Sequence, residues 1–116
     1  MECLVYRVPM RDPGDARLTG AHPLIRTHRE TGRRALYIGH HVHNFENMSE
    51  AESRPLIDYL MRHSTRPEFT CRFRWQTGSL AIWDNRCTQH YAINDYPSGT
   101  RIMHRITICG DVPYLA

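Results

Sequence analysis

The apolar positions of this chain change period along its length, and the changes mark its elements. His22 to His28 (HPLIRTH) reads as a short extended segment. Arg29-Glu30-Thr31-Gly32 reads as a turn, with Gly32 able to supply a positive φ, and Ala35 to Ile38 (ALYI) as the returning strand of a hairpin. A helical period follows. Ser49 and Glu52 form an S-x-x-E capping box ahead of a run in which Leu56, Ile57 and Leu60, with Tyr59, are expected on one broad face. Pro55 lies inside that run and removes a helical hydrogen bond, so a kink or two short turns meeting there are expected. The helix should stop before Arg66-Pro67.

From Phe69 onward the period is two. In Cys71-Arg72-Phe73-Arg74-Trp75 apolar residues alternate with arginine, as in a half-buried strand. Thr77-Gly78 breaks it, Ser79 to Trp83 (SLAIW) begins another strand, and Asp84-Asn85-Arg86 turns. Tyr96-Pro97-Ser98-Gly99 is a loop before a last strand, Arg101 to Cys109. Residues 1 to about 20 are the least patterned, and RDPGDARLTG reads as a loop or tail. The expected class is mainly β with one helix (α+β), with a jelly-roll fragment or an α+β sandwich as its architecture.

Composition narrows the picture. The chain has 116 residues, room for one domain, with 41% apolar and 23% charged residues, ordinary values for a soluble protein. No apolar run is long enough for a membrane span or a signal peptide, which leads us to expect a cytoplasmic protein. The net charge is +3, and the basic residues are scattered, so nucleic acid is not an expected partner. Cys3, Cys71, Cys87 and Cys109 fit no C-x-x-C pattern; they are expected to be reduced, with Cys71 and Cys109 as small strand residues.

The final strand carries the candidate chemistry. Alternation puts Arg101 and Arg105 on one face, and Ile102, Ile106 and Ile108 on the other, which must pack on something apolar. In a central strand those arginines need an anion, and a bidentate carboxylate or sulfonate suits them. In an edge strand they simply face solvent. His90, after the turn in WDNRCTQHY, is either a neutral imidazole ligand or a satisfied structural histidine.

The segments WDNRCTQHYAINDY and RIMHRITICGD resemble the C-terminal signature of the taurine dioxygenase family of Fe(II)/2-oxoglutarate enzymes. HPLIRTHRETGRRALYI, MSEAESRPLIDYLMRHSTRPEF and FRWQTGSLAIWDN are similar to that family in the same order, over roughly residues 21 to 113. The resemblance implies the C-terminal half of a double-stranded β-helix (jelly roll) in residues 21–116, with 1–20 an unmatched segment or tail. It implies Fe(II) and 2-oxoglutarate as cofactors of the complete enzyme, and a small anionic substrate such as a sulfonate, sulfate ester or carboxylate. His90 matches the distal metal histidine, Arg101 the arginine gripping the far carboxylate of 2-oxoglutarate, and Arg105 the arginine on the substrate anion. Trp83 and Trp75 match aromatic positions at the pocket, and no catalytic residue is implied beyond the metal ligand. The family's H-x-D/E metal motif lies upstream of the matching region. The chain has no H-x-D, and its one H-x-E, His28-Arg29-Glu30, falls in the hairpin turn, where the family has no ligand. The implied isolated chain is therefore incomplete as an enzyme. The rival expectation is a non-catalytic anion-binding half-barrel that pairs its exposed edges with a second copy.

Overall fold

The computed structural model describes residues 2–7, 18–95 and 98–116. Strands β1 (Glu2–Arg7), β2 (Leu18–Pro23) and β5 (Val42–Phe45) make an antiparallel sheet in the order β2-β1-β5. Strands β3 (Ile25–Thr27) and β4 (Arg34–Leu36) form a separate hairpin with Ile25 opposite Leu36 and Thr27 opposite Arg34. With one helix, α1 (Glu50–Ser64), and a 3-10 turn at Pro67–Phe69, the described part is small antiparallel sheets plus one helix.

The hairpin follows the expectation. His28 N–H donates to Arg33 O at 2.8 Å, Gly32 N–H donates to His28 O at 2.8 Å, and Gly32 has the positive φ of +67° that the turn demands. Residues 2–7 and 18–20, read as loop or tail, are strands instead. β1 pairs with β2 from Glu2–Pro23 to Arg7–Leu18, and with β5 across a register shift between Leu4 and Val5. The segment 8–17 and the loop residues 96 and 97 lie outside the described residues.

Ser49 caps α1 as read: its Oγ accepts from Glu52 N–H at 3.3 Å, and Glu52 Oε2 accepts from Ser49 N–H at 2.8 Å. Pro55 neither splits nor ends the helix, which runs unbroken from 50 to 64. It sits on the exposed side with Ala51, so the carbonyl it leaves without a partner is on the solvent side. Tyr59 does not share the apolar face. Two residues after Ile57 it is rotated by roughly 200° about the axis, and it is exposed, stacked on His63 at 6.5 Å.

Among the described residues the buried apolar side chains are Leu24, Ile38, Val42, Phe45 and Ile57, with Leu36, Met48, Leu56, Leu60 and Met61 packed around them. Ser53 is fully buried, and its Oγ accepts from Phe45 N–H at 3.0 Å, tying α1 to the edge of β5.

The period-two segments 71–75, 79–83 and 101–109 form no ladder among the described residues. Alternation sets which side chains share a face but does not supply the neighbour whose N–H and C=O groups a strand needs. The isoleucine face of 101–109 is uncovered, with Ile106 92% exposed, and Cys71 and Cys109 are exposed free thiols. The radius of gyration, 16.3 Å, exceeds the about 13 Å of a closed domain near this length. No helix of the described residues is long and apolar enough to cross a membrane.

The end of the chain is laid along β3. Thr27 N–H donates to Tyr114 O at 2.9 Å, Arg34 Nη2 donates to Ala116 O at 2.9 Å, and Arg26 is paired with Asp111 at 2.7 Å. Arg26 is 4% exposed, so its charge depends on that carboxylate. Burial alone would raise the Asp111 pKa, but its backbone hydrogen bond and the guanidinium groups of Arg26, Arg29 and Arg86 lower it overall. Asp111→Asn, which strands the buried guanidinium, is expected to lower the melting temperature more than Arg26→Met, which removes the charge with its need. Thermal unfolding of the two variants side by side checks that order.

Candidate functional site

The turn that leads to His90 is built by one aspartate. Asp84 O accepts from Cys87 N–H at 3.2 Å, from Thr88 N–H at 3.0 Å and from Thr88 Oγ at 2.6 Å. Asp84 Oδ1 accepts from Arg86 N–H at 2.8 Å, an Asx turn. The side chain of Arg86 then folds back onto the same carboxylate, with Nε at 2.9 Å from Oδ1 and Nη2 at 2.7 Å from Oδ2.

Arg86 also reaches the hairpin. Its Nη1 donates to Glu30 at 2.9 Å, and His28 Nε2 lies 3.1 Å from Asp84 Oδ2. The other ring nitrogen of His28 is 3.0 Å from Thr31 Oγ1. The Arg86 guanidinium, its backbone N–H and the His28 ring hold Asp84 well below the usual carboxylate range. Arg86 lowers the Glu30 pKa as well, and Asp84, then Glu30, raise that of Arg86. At the far end of the turn, Gln89 Nε2 donates to the carbonyl of Ile38 beyond β4.

Trp83 and His90 are brought together, with ring centroids 5.0 Å apart and tilted by 48°. Trp83 Nε1 donates to Asn85 Oδ1 at 2.9 Å, which fixes the indole over the turn. Trp75 packs edge-on against Phe73 at 4.9 Å. His90, Arg101 and Arg105 are all exposed, the two arginines on the segment after Gly99.

The donor set for iron is not complete here. Among the described residues, the group with ligand atoms close enough to share an ion, all within 4.8 Å, is His28, Asp84 and Cys87, and it does not include His90. Arg86 already occupies both Asp84 oxygens, so an ion there would have to displace a matched guanidinium. That cluster is an ion-pair network. Among the described residues His90 belongs to no group of three metal-ligating side chains, so those residues do not assemble a facial triad around it.

Reading the sequence in isolation missed this network. His28-x-Glu30, set aside as a metal motif, has another part: both residues meet Asp84 or Arg86, 56 positions away. The available signal was two turns of complementary charge, one with Glu30 and one with the Asp-x-Arg of residues 84–86; nothing in spacing showed that they meet.

Comparison with known proteins places the arrangement. The family model described as taurine catabolism dioxygenase TauD, TfdA family matches residues 6–107. An alpha-ketoglutarate-dependent sulfate ester dioxygenase of Pseudomonas putida is 49% identical over 92 residues, 79% of this chain and 31% of that protein. An alkylsulfatase of Acinetobacter baylyi is 45% identical over 78% of this chain and 29% of its own length. An alpha-ketoglutarate-dependent 2,4-dichlorophenoxyacetate dioxygenase of Cupriavidus pinatubonensis is 42% identical over 77% of this chain and 31% of its own. The chain thus spans under a third of these curated relatives. The match takes in the Asp84 turn, the Trp83–His90 pair and both arginines of the last segment, and on that extent the chain belongs to the TauD, TfdA family.

Proposed function

We propose that this chain is the C-terminal portion of an Fe(II)/2-oxoglutarate-dependent dioxygenase that oxidises a small anionic substrate. The observation that carries the reading is the family match running unbroken through Trp83, His90, Arg101 and Arg105. In this reading His90 is one metal ligand, Arg101 grips the far carboxylate of 2-oxoglutarate, Arg105 holds the substrate anion, and Trp83 walls the pocket. The relatives' names, sulfate ester dioxygenase and 2,4-dichlorophenoxyacetate dioxygenase, each denote an acid group on an organic body. A planar guanidinium fork accepts either. Residues 21–116 form the C-terminal part of a jelly roll, whose other strands would cover the isoleucine face. The free thiols support a cytoplasmic setting.

The isolated chain has no H-x-D, and the carboxylate of its one H-x-E, Glu30, is held by Arg86, so it is expected to form no succinate from 2-oxoglutarate with added Fe(II). Turnover that vanishes in His90→Ala would overturn that incompleteness. Weak 2-oxoglutarate binding is expected to perturb the Arg101 side-chain NMR signals and to disappear in Arg101→Ala; unchanged binding in that variant removes the assigned role. Tight binding without turnover would instead support a stand-alone anion-binding half-barrel.

A further inference from the structure

We propose that His28, Glu30, Asp84 and Arg86 are positioning residues, a charge clamp that fixes the 84–90 turn on the β3–β4 hairpin and thereby sets the Trp83–His90 pair. The inference rests on His90 being a site residue, and assigns a role to four side chains outside the site proposed above.

The clamp joins two turns far apart in sequence. Arg86 binds Asp84 within its own turn and Glu30 in the hairpin turn, so one guanidinium cross-links the two. His28, from the hairpin, meets the same Asp84 carboxylate. A single contact would leave the turn free to pivot. The second anchor removes that freedom: Gln89, adjacent to His90, bonds the carbonyl of Ile38 at the opposite end of the hairpin. Between those anchors the backbone is closed by the Asp84 carbonyl, which takes the N–H groups of Cys87 and Thr88. His90 leaves the turn one residue after the second anchor, and Trp83 enters it one residue before the first. Both rings are exposed, so no core packs them into register; the clamp is what holds them 5.0 Å apart. The arginine's planar fork matters here, because it meets both Asp84 oxygens and still has Nη1 for Glu30.

Nuclear Overhauser contacts between the Trp83 indole and His90 imidazole protons, measured on the full chain, read this directly. Arg86→Leu is expected to abolish them and move the His90 ring shifts toward those of an unstructured peptide, with Arg86→Lys restoring part of the signal. Glu30→Gln, at an exposed position, keeps the test interpretable if Arg86→Leu fails to fold; it should weaken the same contacts. Ser49→Ala, which loosens α1, should lower the melting temperature and leave them intact. Contacts unchanged in both Arg86→Leu and Glu30→Gln overturn the clamp. Loss of the contacts in Ser49→Ala to the same degree overturns it too, because it would make the effect one of general stability. The 2-oxoglutarate titration of Arg101→Ala is independent of these signals, so failure of the functional reading leaves its own signature.

Discussion

Phe45→Ala should abolish the folded state of the helix-and-sheet part of this chain at moderate temperature. Phe45 is fully buried with Leu24, Ile38, Val42 and Ile57, pairs with Cys3 of β1, and gives its N–H to the buried Ser53 of α1. Removing a buried phenylalanine costs about 3–5 kcal/mol. Whole domains hold only about 5–15 kcal/mol, so that loss is a large share of the total. The expected fall in melting temperature is about 12 °C or more, followed by the far-ultraviolet signal of α1. Tyr59→Ala, at an exposed position on the same helix, should change stability by no more than about 0.5 kcal/mol. A drop of only a few degrees for Phe45→Ala would show that the core is not centred on this residue.

The parts of the fold that could be read from the sequence are those whose partners lie nearby in the chain. The hairpin, the positive φ of Gly32, the capping box of Ser49 and Glu52 and the stop at Pro67 depend on residues a few positions apart. β1 escaped notice because its evidence lies in its partner strands β2 and β5, which are distant in sequence. The strands expected at 71–75, 79–83 and 101–109 were read from side-chain alternation, which is a statement about faces, while a ladder is a statement about neighbours. At the site, Arg101 and Arg105 stood out from alternation and His90 from its place after the turn, their roles and Trp83 came from resemblance to a family, and the structure adds the 5.0 Å packing of Trp83 on His90. The Asp84–Arg86–Glu30–His28 network was out of reach because ion pairing between two loops leaves no periodic trace.

The chain is also expected to self-associate in a concentration-dependent way, and two lysines should prevent it. Leu80, Ile82, Ile102, Ile106 and Ile108 are each at least 73% exposed. Burying one such side chain is worth about 1.5–3 kcal/mol, while association costs an estimated 4–15 kcal/mol in lost freedom and ordering. Two covered side chains supply about 3–6 kcal/mol, only the foot of that range, whereas all five supply about 8–15 kcal/mol, so association depends on several of them acting together. Ile102→Lys with Ile106→Lys removes two of the exposed isoleucines of the last segment, and a like-charged edge also resists strand pairing. Sedimentation should show the parent chain shifting to larger species as concentration rises, and the double variant staying at monomer mass with less binding of a hydrophobic dye. Because both positions lie on the face opposite Arg101 and Arg105 by alternation, weak 2-oxoglutarate binding should survive the change. A parent chain that is monomeric at every concentration would mean that these side chains are covered within the chain in solution. Loss of 2-oxoglutarate binding in the double variant would mean that the two faces are not separate.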